Sequence, residues 1–164
     1  MTDRGAFVIL LFLVAVGVGL TASPIVYTAE NAVLPGNESR ELADLDPAFR
    51  TKVEAVIAGM EDRGWQVWVR ATRRDAARQA WYRANGWSQA THSAHERGLA
   101  ADLLHPAPLL ILPLHLAFFQ ALREEVRAAG LCSGGDYAKS AWPWKTAGLG
   151  WDPAHVEAKG QGGC

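Results

Sequence analysis

The sequence is short of several features, and each shortage excludes a class of protein. Its 164 residues include only two cysteines, Cys132 and Cys164, which excludes a disulfide-rich scaffold. Neither cysteine has a second one at metal-ligand spacing, so neither is expected to bind a metal. The formal net charge is −1, and nucleic acid, whose binding usually needs a basic face, is not an expected partner. No internal repeat or low-complexity tract is visible.

The composition is that of one folded domain. Hydrophobic residues make up 49% of the chain, charged residues 20%, and there are seven tryptophans, unlike the composition of a disordered protein. The first thirty residues or so have the character of a targeting sequence, which leaves about 130 residues for a single domain. If that domain is exported, Cys132 and Cys164 could pair; two separate thiols are the alternative.

Residues 6–22 form a long apolar run without a charged residue. Three interpretations stay open: a cleaved signal peptide, an uncleaved membrane anchor, or a weakly held anchor that later leaves the bilayer. All three place the domain outside the cytoplasmic membrane, facing the periplasm or the cell wall. We therefore divide the chain into a signal peptide or anchor over residues 1–29, a polar linker over 30–45, and the folded domain over 46–164.

Hydrophobic periodicity predicts helices and strands in turn along the domain. Asp46 and Pro47 are typical of the first residues of a helix, and Gly64 ends it. Two further helices are predicted from Asp75 to Asn85 and from Pro113 to the stop at Gly130. Strands are predicted over residues 65–72, 99–104 and 155–158.

Asp102 gives the clearest indication of a functional site, because it interrupts an otherwise apolar strand. A carboxylate is expensive to bury unless it is paired or bound to a metal. His95 and His155 would complete a set of imidazole and carboxylate ligands of the kind that zinc prefers. Three protein ligands, with the fourth position left to water, are typical of a catalytic zinc site. The residues therefore favour an open Zn²⁺ site.

Two charged residues are candidates for the chemistry at such a site. Asp152 lies three residues before His155, and a carboxylate there could act as general base and later pass the proton to a leaving amine. Arg74 could hold the substrate carbonyl or the developing oxyanion. His105 and His115 are not expected to bind zinc, and His115 is expected to face away from the apolar stripe of its helix.

Two motifs carry a resemblance to a known family. They are Ser93-x-His95-x-x-Gly98-x-Ala100-x-Asp102 and Asp152-x-x-His155-x-Glu157. In order and spacing they resemble the zinc peptidases that cut bacterial cell-wall peptides. That group includes D-alanyl-D-alanine carboxypeptidases and dipeptidases, and the L-alanyl-D-glutamate endopeptidases of phage endolysins. The resemblance extends from Leu45 to Lys159.

The resemblance implies a fold and a ligand set. The fold is a small α+β domain with helices packed on an antiparallel sheet, of the hedgehog and D-Ala-D-Ala metallopeptidase type. The ligands implied are those that the residues favour, namely zinc on His95, Asp102 and His155. The resemblance also implies Asp152 as the base.

Further site residues come from the same resemblance. The segment from Arg73 to Gln79 is similar to the family's Arg-Ser-x-x-x-Gln segment. This similarity places the substrate-side arginine at Arg74, with Arg73 as the alternative register, and brings Gln79 to the site. Ser93 would orient a ligand or the substrate, and Glu157 would support His155 from behind.

Two positions depart from the family's pattern. Val156 stands where the family often has phenylalanine, and Tyr137 stands where tryptophan commonly follows Gly-Gly-Asp. Both changes keep an apolar or aromatic side chain, so we expect activity to persist.

The sequence thus predicts a zinc-dependent peptidoglycan peptidase, expected to be a monomer acting on wall stem peptides, with the N-terminal segment contacting the membrane. Gly134-Gly135-Asp136 ahead of the second motif favours the endolysin-type L-alanyl-D-glutamate endopeptidase. A D-alanyl-D-alanine carboxypeptidase of wall maintenance is the alternative with the same catalytic residues. A non-catalytic zinc module that binds the wall is the alternative from another class.

Overall fold

The computed structural model of the chain describes residues 31–107, 112–138 and 144–161. The predicted targeting segment over residues 1–29 and the terminal Cys164 lie outside the described residues. Within the described ranges, no helix is both long enough and apolar enough to cross a bilayer. Cys132 is disulfide-bonded, so the separate-thiol alternative is wrong at this position.

The elements follow one another much as the periodicity predicts. The helices are α1 (Pro47–Asp62), α2 (Ala76–Ala84) and α3 (Leu112–Ala128). The strands are β1 (Trp68–Ala71), β2 (Ala100–Leu104), β3 (Cys132–Ser133) and β4 (His155–Glu157). Short 3-10 turns, among them Ala94–Arg97 and Gly134–Asp136, connect them.

The four strands form one antiparallel sheet in the order β1-β2-β4-β3. β4 is thus a central strand, although it follows the other three in the chain. The helices α1 and α3 contact each other and cover one face of the sheet, where the buried core lies. The predicted fold class, α+β with helices packed on a small antiparallel sheet, is confirmed.

Local sequence explains how the core elements begin and which faces they bury. The Asp46 side chain accepts hydrogen bonds from the backbone N–H groups of Ala48 and Phe49, and Pro47 occupies the first helical position of α1. Such a cap satisfies donors that have no partner inside the helix. The core then joins apolar side chains of both helices to those of the sheet, among them Phe49, Val53, Met60, Leu103, Phe118, Leu122 and Val126.

His115 is buried on α3, and the prediction that it faces away from the apolar stripe is wrong. Its side chain is 1% exposed, and its Nε2 lies 3.0 Å from the Ala107 carbonyl oxygen. The reason is that α3 buries a wider face than a single stripe. Phe119 is buried beside Phe118, and His115 precedes Phe119 by four residues, which places both on one side of the helix.

Residues 31–45, interpreted from the sequence as a linker, pack against the domain. Leu34 and Leu45 are buried. The guanidinium of Arg78 on α2 is fully buried and donates hydrogen bonds to the carbonyl oxygens of Pro35 and Gly36 at 2.9 Å each. The N-terminal part of the described chain is therefore held at several points along its length.

Candidate metal centre

The pairing of β2 with β4 brings two of the predicted ligands together. Asp102 and His155 are direct partners across the two strands. Side chains alternate along a strand, so their neighbours Ala101, Leu103 and Val156 point to the opposite face. Those three residues are completely buried in the core. Because these neighbours face the core, Asp102 and His155 lie on the opposite, open face of the sheet.

His95 comes from the 3-10 turn that precedes β2. Ser93 caps the turn: its Oγ accepts a hydrogen bond from the His95 backbone, and the Glu96 side chain accepts one from the Ser93 backbone. The turn ends at Gly98 in the left-handed conformation with φ of 68°. A Cβ added there would lie 2.8 Å from the Asp44 carbonyl oxygen, so glycine is needed both for the backbone angle and for the close approach.

The three side chains converge on one point. His95 Nε2 lies 3.3 Å from Asp102 Oδ1, His155 Nδ1 lies 3.0 Å from the same oxygen, and the two nitrogens are 3.3 Å apart. Ligands about 2.0–2.1 Å from a tetrahedral ion are separated by about 3.3 Å, from the geometry of zinc sites. Among the described residues, this is the group of histidine, cysteine and acidic side chains that could hold a metal ion.

Hydrogen bonds behind the histidines orient the nitrogens that face this point. His95 Nδ1 lies 2.7 Å from the Thr72 carbonyl oxygen. A carbonyl only accepts, so Nδ1 carries the hydrogen and Nε2 of the neutral ring keeps its lone pair. His155 Nε2 lies 3.4 Å from Glu157 Oε2, with Nδ1 on the opposite side of the ring. Such partners behind a ligand are typical of metal sites, and the donor set fits zinc.

Burial and mutual charge shift the protonation of the three residues. Burial lowers the pKa of His95, while the negative charge of Asp102 opposes that effect. Burial would raise the pKa of Asp102, but the charge of His95 and hydrogen bonding to both histidines hold that pKa well below its usual range. Burial also lowers the pKa of His155, yet the acceptors Asp102 and Glu157 outweigh it and raise this pKa to about 10.

Asp152 faces the same cavity as the three ligands. It begins the turn into β4, where the His155 N–H donates to the Asp152 carbonyl oxygen at 3.1 Å. Gly134 makes room for this turn, because a Cβ there would lie 2.0 Å from that oxygen. Burial, with a contribution from the charge of Asp102, raises the pKa of the Asp152 carboxyl to about 6. A carboxylate near that value suits proton transfer at neutral pH.

Arg74, rather than Arg73, reaches the centre. Arg74 is 8% exposed and lines the cavity, and its Nη2 lies 3.5 Å from Asp102 Oδ2. Arg73 is exposed at the surface. The buried Gln79 does not line the cavity; it accepts from Arg74 Nη1 at 3.5 Å and donates to Ser88 Oγ and the Ala90 carbonyl oxygen. Gln79 thus contacts Arg74 and does not face the cavity itself.

Three residues beside the centre, Glu38, Arg70 and Tyr82, were not found from the sequence. Glu38 lies within the predicted linker, and its carboxylate contacts Arg70, Arg74 and the Tyr82 hydroxyl. A glutamate in a polar stretch gives no sign that it is buried. Arg70 stood out in the sequence only as one of a run of basic residues, a pattern more typical of a solvated surface.

The cavity in front of the centre measures about 950 Å³, within the usual range for small-molecule and peptide sites. Polar and aromatic side chains form its lining. They include His95, Asp102, Asp152, His155, Arg74, Ser93, Tyr137, Trp151 and Trp87. The arrangement combines a three-ligand cation site, a buried carboxylate and a guanidinium in one open cavity, which is what metal-assisted hydrolysis requires.

The chain was compared with protein families, curated proteins and solved structures. No family model and no curated protein matches the chain. A solved structure of the L-Ala D-Glu endopeptidase ChiX from Serratia marcescens is similar to it, with 20% sequence identity and a TM-score of 0.49. The similarity covers 71% of this chain and 82% of that one.

Proposed function

We propose that this chain is a zinc-dependent peptidase that hydrolyses the stem peptides of bacterial peptidoglycan. The observation that carries the proposal is the convergence of His95 Nε2, Asp102 Oδ1 and His155 Nδ1 within 3.0–3.3 Å of one another. Each histidine has an acceptor behind it, and the cavity leaves room for water and substrate. A zinc ion held by these residues would supply a Lewis acid and lower the pKa of a coordinated water.

The remaining residues have roles that follow from their positions. Asp152 is placed to take a proton from the attacking water and to return it to the amine nitrogen when the peptide C–N bond breaks. Arg74 is placed to hold the carbonyl oxygen as negative charge develops on it. Glu157 keeps the His155 ring in the orientation that turns Nδ1 toward the ion. Ser93 sets the turn that carries His95.

For the bond that is cut, we propose the L-alanyl-D-glutamate linkage. The support is the Gly134-Gly135-Asp136 sequence, which the resemblance associates with the endolysin type. In the structure this stretch is the 3-10 turn on which the Asp152 turn rests, because Gly134 leaves space for the Asp152 carbonyl oxygen. We further propose export or membrane attachment through residues 1–29, with the domain acting on the wall side of the membrane as a monomer.

Product analysis tests the proposal directly. Purified full-length chain is incubated with isolated sacculi, with and without a chelator, and the released peptides are identified by mass spectrometry. We expect Ala–Glu cleavage that the chelator abolishes and added Zn²⁺ restores. Release of terminal D-Ala alone would identify the carboxypeptidase instead. Zinc binding without any hydrolysis would favour the non-catalytic wall-binding module.

A further inference from the structure

We infer that Glu38 is a positioning residue of this site, which acts through Arg74 on the ligand Asp102. The inference rests on the proposed function for its catalytic readout. Glu38 comes from the segment 31–45 and not from the strands or turns that carry the ligands. Nothing in the two motifs assigns it a role.

The carboxylate of Glu38 is enclosed by three groups that face the cavity. It is 3% exposed. Its Oε1 lies 3.2 Å from Arg74 Nε, its Oε2 lies 3.2 Å from Arg70 Nη1, and Oε2 also accepts a hydrogen bond of 2.8 Å from the Tyr82 hydroxyl. A buried carboxylate is stable only where partners of this kind compensate its charge. Glu38 is therefore the common anchor of two guanidinium groups and a phenol.

Each of the three guanidinium nitrogens of Arg74 has a neighbouring side chain. Glu38 holds Nε, Gln79 lies 3.5 Å from Nη1, and Asp102 Oδ2 lies 3.5 Å from Nη2. The guanidinium carbon also lies 4.8 Å from the centre of the Tyr82 ring. An ion pair at the Nε edge of a planar guanidinium favours the orientation that keeps this contact. Glu38 thus fixes the direction in which Arg74 presents its remaining N–H groups.

The same chain of contacts reaches the metal ligand. Asp102 Oδ1 faces the two histidines, and Asp102 Oδ2 faces Arg74. Arg74 therefore sets which oxygen of Asp102 is available to an ion. Without the negative charge of Glu38, the positive charges of Arg70 and Arg74 would be less neutralised, and they would repel a cation at the neighbouring site. Removing Glu38 is expected both to release Arg74 and to weaken the site for a cation.

The backbone keeps Glu38 in place independently of these side chains. Residues 38 and 74 form a β-bridge, the Ser39 N–H donates to the Arg73 carbonyl oxygen at 2.6 Å, and the Thr72 N–H donates to that of Ser39 at 2.8 Å. Farther along, Asp75 accepts a hydrogen bond of 2.8 Å from the Asn37 N–H. The segment is thus joined, by an isolated β-bridge and these backbone hydrogen bonds, to the residues that follow β1.

A β-bulge in β1 adds Arg70 to the same group. The register shifts between Val69 and Ala71, so that Val69 pairs with Leu103 and Ala71 pairs with Asp102. The extra residue is Arg70, and both Arg70 and Ala71 line the cavity. Bulges redirect side chains beside functional sites. Here the bulge places a second guanidinium within reach of Glu38.

The test is the Glu38→Gln variant in the full-length protein, measured on isolated muropeptides. We expect kcat to fall by about 10- to 100-fold, as for removal of a partner behind a catalytic group, while KM changes by less than about twofold. Glu38→Asp should recover part of kcat. The control is Asp75→Asn, which weakens a hydrogen bond of the same segment but keeps the side-chain contacts of Glu38 and Arg74. It should leave kcat per folded molecule unchanged.

A double-mutant cycle separates positioning from stability. If Glu38 acts through Arg74, adding Glu38→Gln to an Arg74→Gln protein should change kcat by less than about twofold. Equal losses in both backgrounds would overturn the inference. So would an unchanged kcat in Glu38→Gln, or an equal loss in Asp75→Asn.

Binding of Co²⁺ gives a readout that does not depend on hydrolysis, because its visible absorption reports the ligand geometry. We expect Glu38→Gln to weaken Co²⁺ binding by about tenfold and to shift the absorption, since Asp102 loses its fixed partner. A wild-type chain that binds Co²⁺ but hydrolyses nothing would defeat the proposed function and leave this inference standing. A Co²⁺ affinity and spectrum identical in Glu38→Gln and wild type would defeat the inference alone.

Discussion

The cavity has two walls that are built in different ways. The metal wall consists of His95, Asp102, His155 and Glu157, and three of these residues lie on paired strands. The arginine wall consists of Glu38, Arg70, Arg74 and Tyr82, and ion pairs and two hydrogen bonds between side chains hold it together. Pairing of two neighbouring strands carries three residues of the first wall, whereas the second wall depends on one isolated β-bridge and on ion pairs between buried side chains.

This difference determines how each wall should respond to substitution. On the metal wall, the Cα positions stay in place when one side chain changes, because strand register does not depend on that side chain. On the arginine wall, removal of one group leaves its partners buried without compensation, so the others must move. Damage to the metal wall should therefore be local, and damage to the arginine wall should spread.

The largest effect is expected from Asp152→Asn, which tests whether hydrolysis can be lost while the metal wall still binds zinc. Loss of the base should lower kcat by about 100- to 10,000-fold, because proton transfer contributes rate enhancement of that order. Zinc affinity, measured by competition with a chromogenic chelator, should change by less than about threefold. A variant that loses zinc together with activity would show that Asp152 belongs to the ligand set.

The next largest effect is expected from loss of Arg78, which holds the segment that carries Glu38. Arg78→Ala removes the buried donor to the carbonyl oxygens of Pro35 and Gly36, and unsatisfied buried groups should cost about 3 kcal/mol of unfolding free energy. We expect a lower midpoint in urea and a lower kcat, and zinc affinity should fall by no more than the roughly tenfold loss expected for Glu38→Gln.

The matched control for that variant is Arg63→Ala. Arg63 pairs at the surface with Glu124 and Glu125, and exposed pairs contribute little. Its urea midpoint should stay close to that of the wild type. An unchanged urea midpoint in Arg78→Ala would contradict the support assigned to Arg78.

Glu157→Gln tests the contact that supports the metal ligand His155 on the side away from the ligand cluster. The variant keeps the shape of the side chain but weakens the acceptor for His155 Nε2, so zinc affinity should fall by about 10- to 100-fold. Glu54→Gln, the same chemical change at an exposed i,i+4 pair with Arg50, serves as control and should bind zinc like the wild type. Equal affinities in all three proteins would refute the support assigned to Glu157.

The effect that is smallest for each step of the change is the dependence of zinc affinity on pH. In the metal-free protein the pKa of His155 is raised to about 10, so below that value a proton and an ion compete for Nδ1. Each binding event should then release about one proton, and affinity should weaken about tenfold for each unit by which the pH falls. Calorimetry in buffers of different ionisation enthalpy measures the release. An affinity that stays constant from about pH 8 to about pH 6 would contradict this.

The metal wall could be predicted from the sequence, because its residues lie in regular elements. Asp102 is conspicuous in an apolar strand, and the alternation of His155, Val156 and Glu157 shows which side chains share a face. Of the arginine wall, Arg74 could be predicted and the other three residues could not. Glu38 meets Arg70 and Tyr82 across 32 and 44 positions of the chain, and no periodicity reports an ion pair between an apparent linker and a strand.

His115 illustrates a second limit of periodicity. The spacing of Leu114, Phe118, Leu122 and Val126 describes one stripe correctly, but it does not give the width of the buried face. That width depends on what packs against the helix, which only the three-dimensional structure contains. The position of β4 in the middle of the sheet is likewise a property of topology and not of local pattern.

The insertion of β4 between β2 and β3 has a consequence for the order in which the molecule matures. β2, carrying Asp102, is synthesised well before His155, and it must await a neighbour that comes last among the described strands. The cation site therefore cannot assemble until that late strand has docked in native register, since a slip of one residue would turn His155 toward the core. Metal binding at this site would therefore require a completely folded chain, and a partly synthesised chain could not form the site.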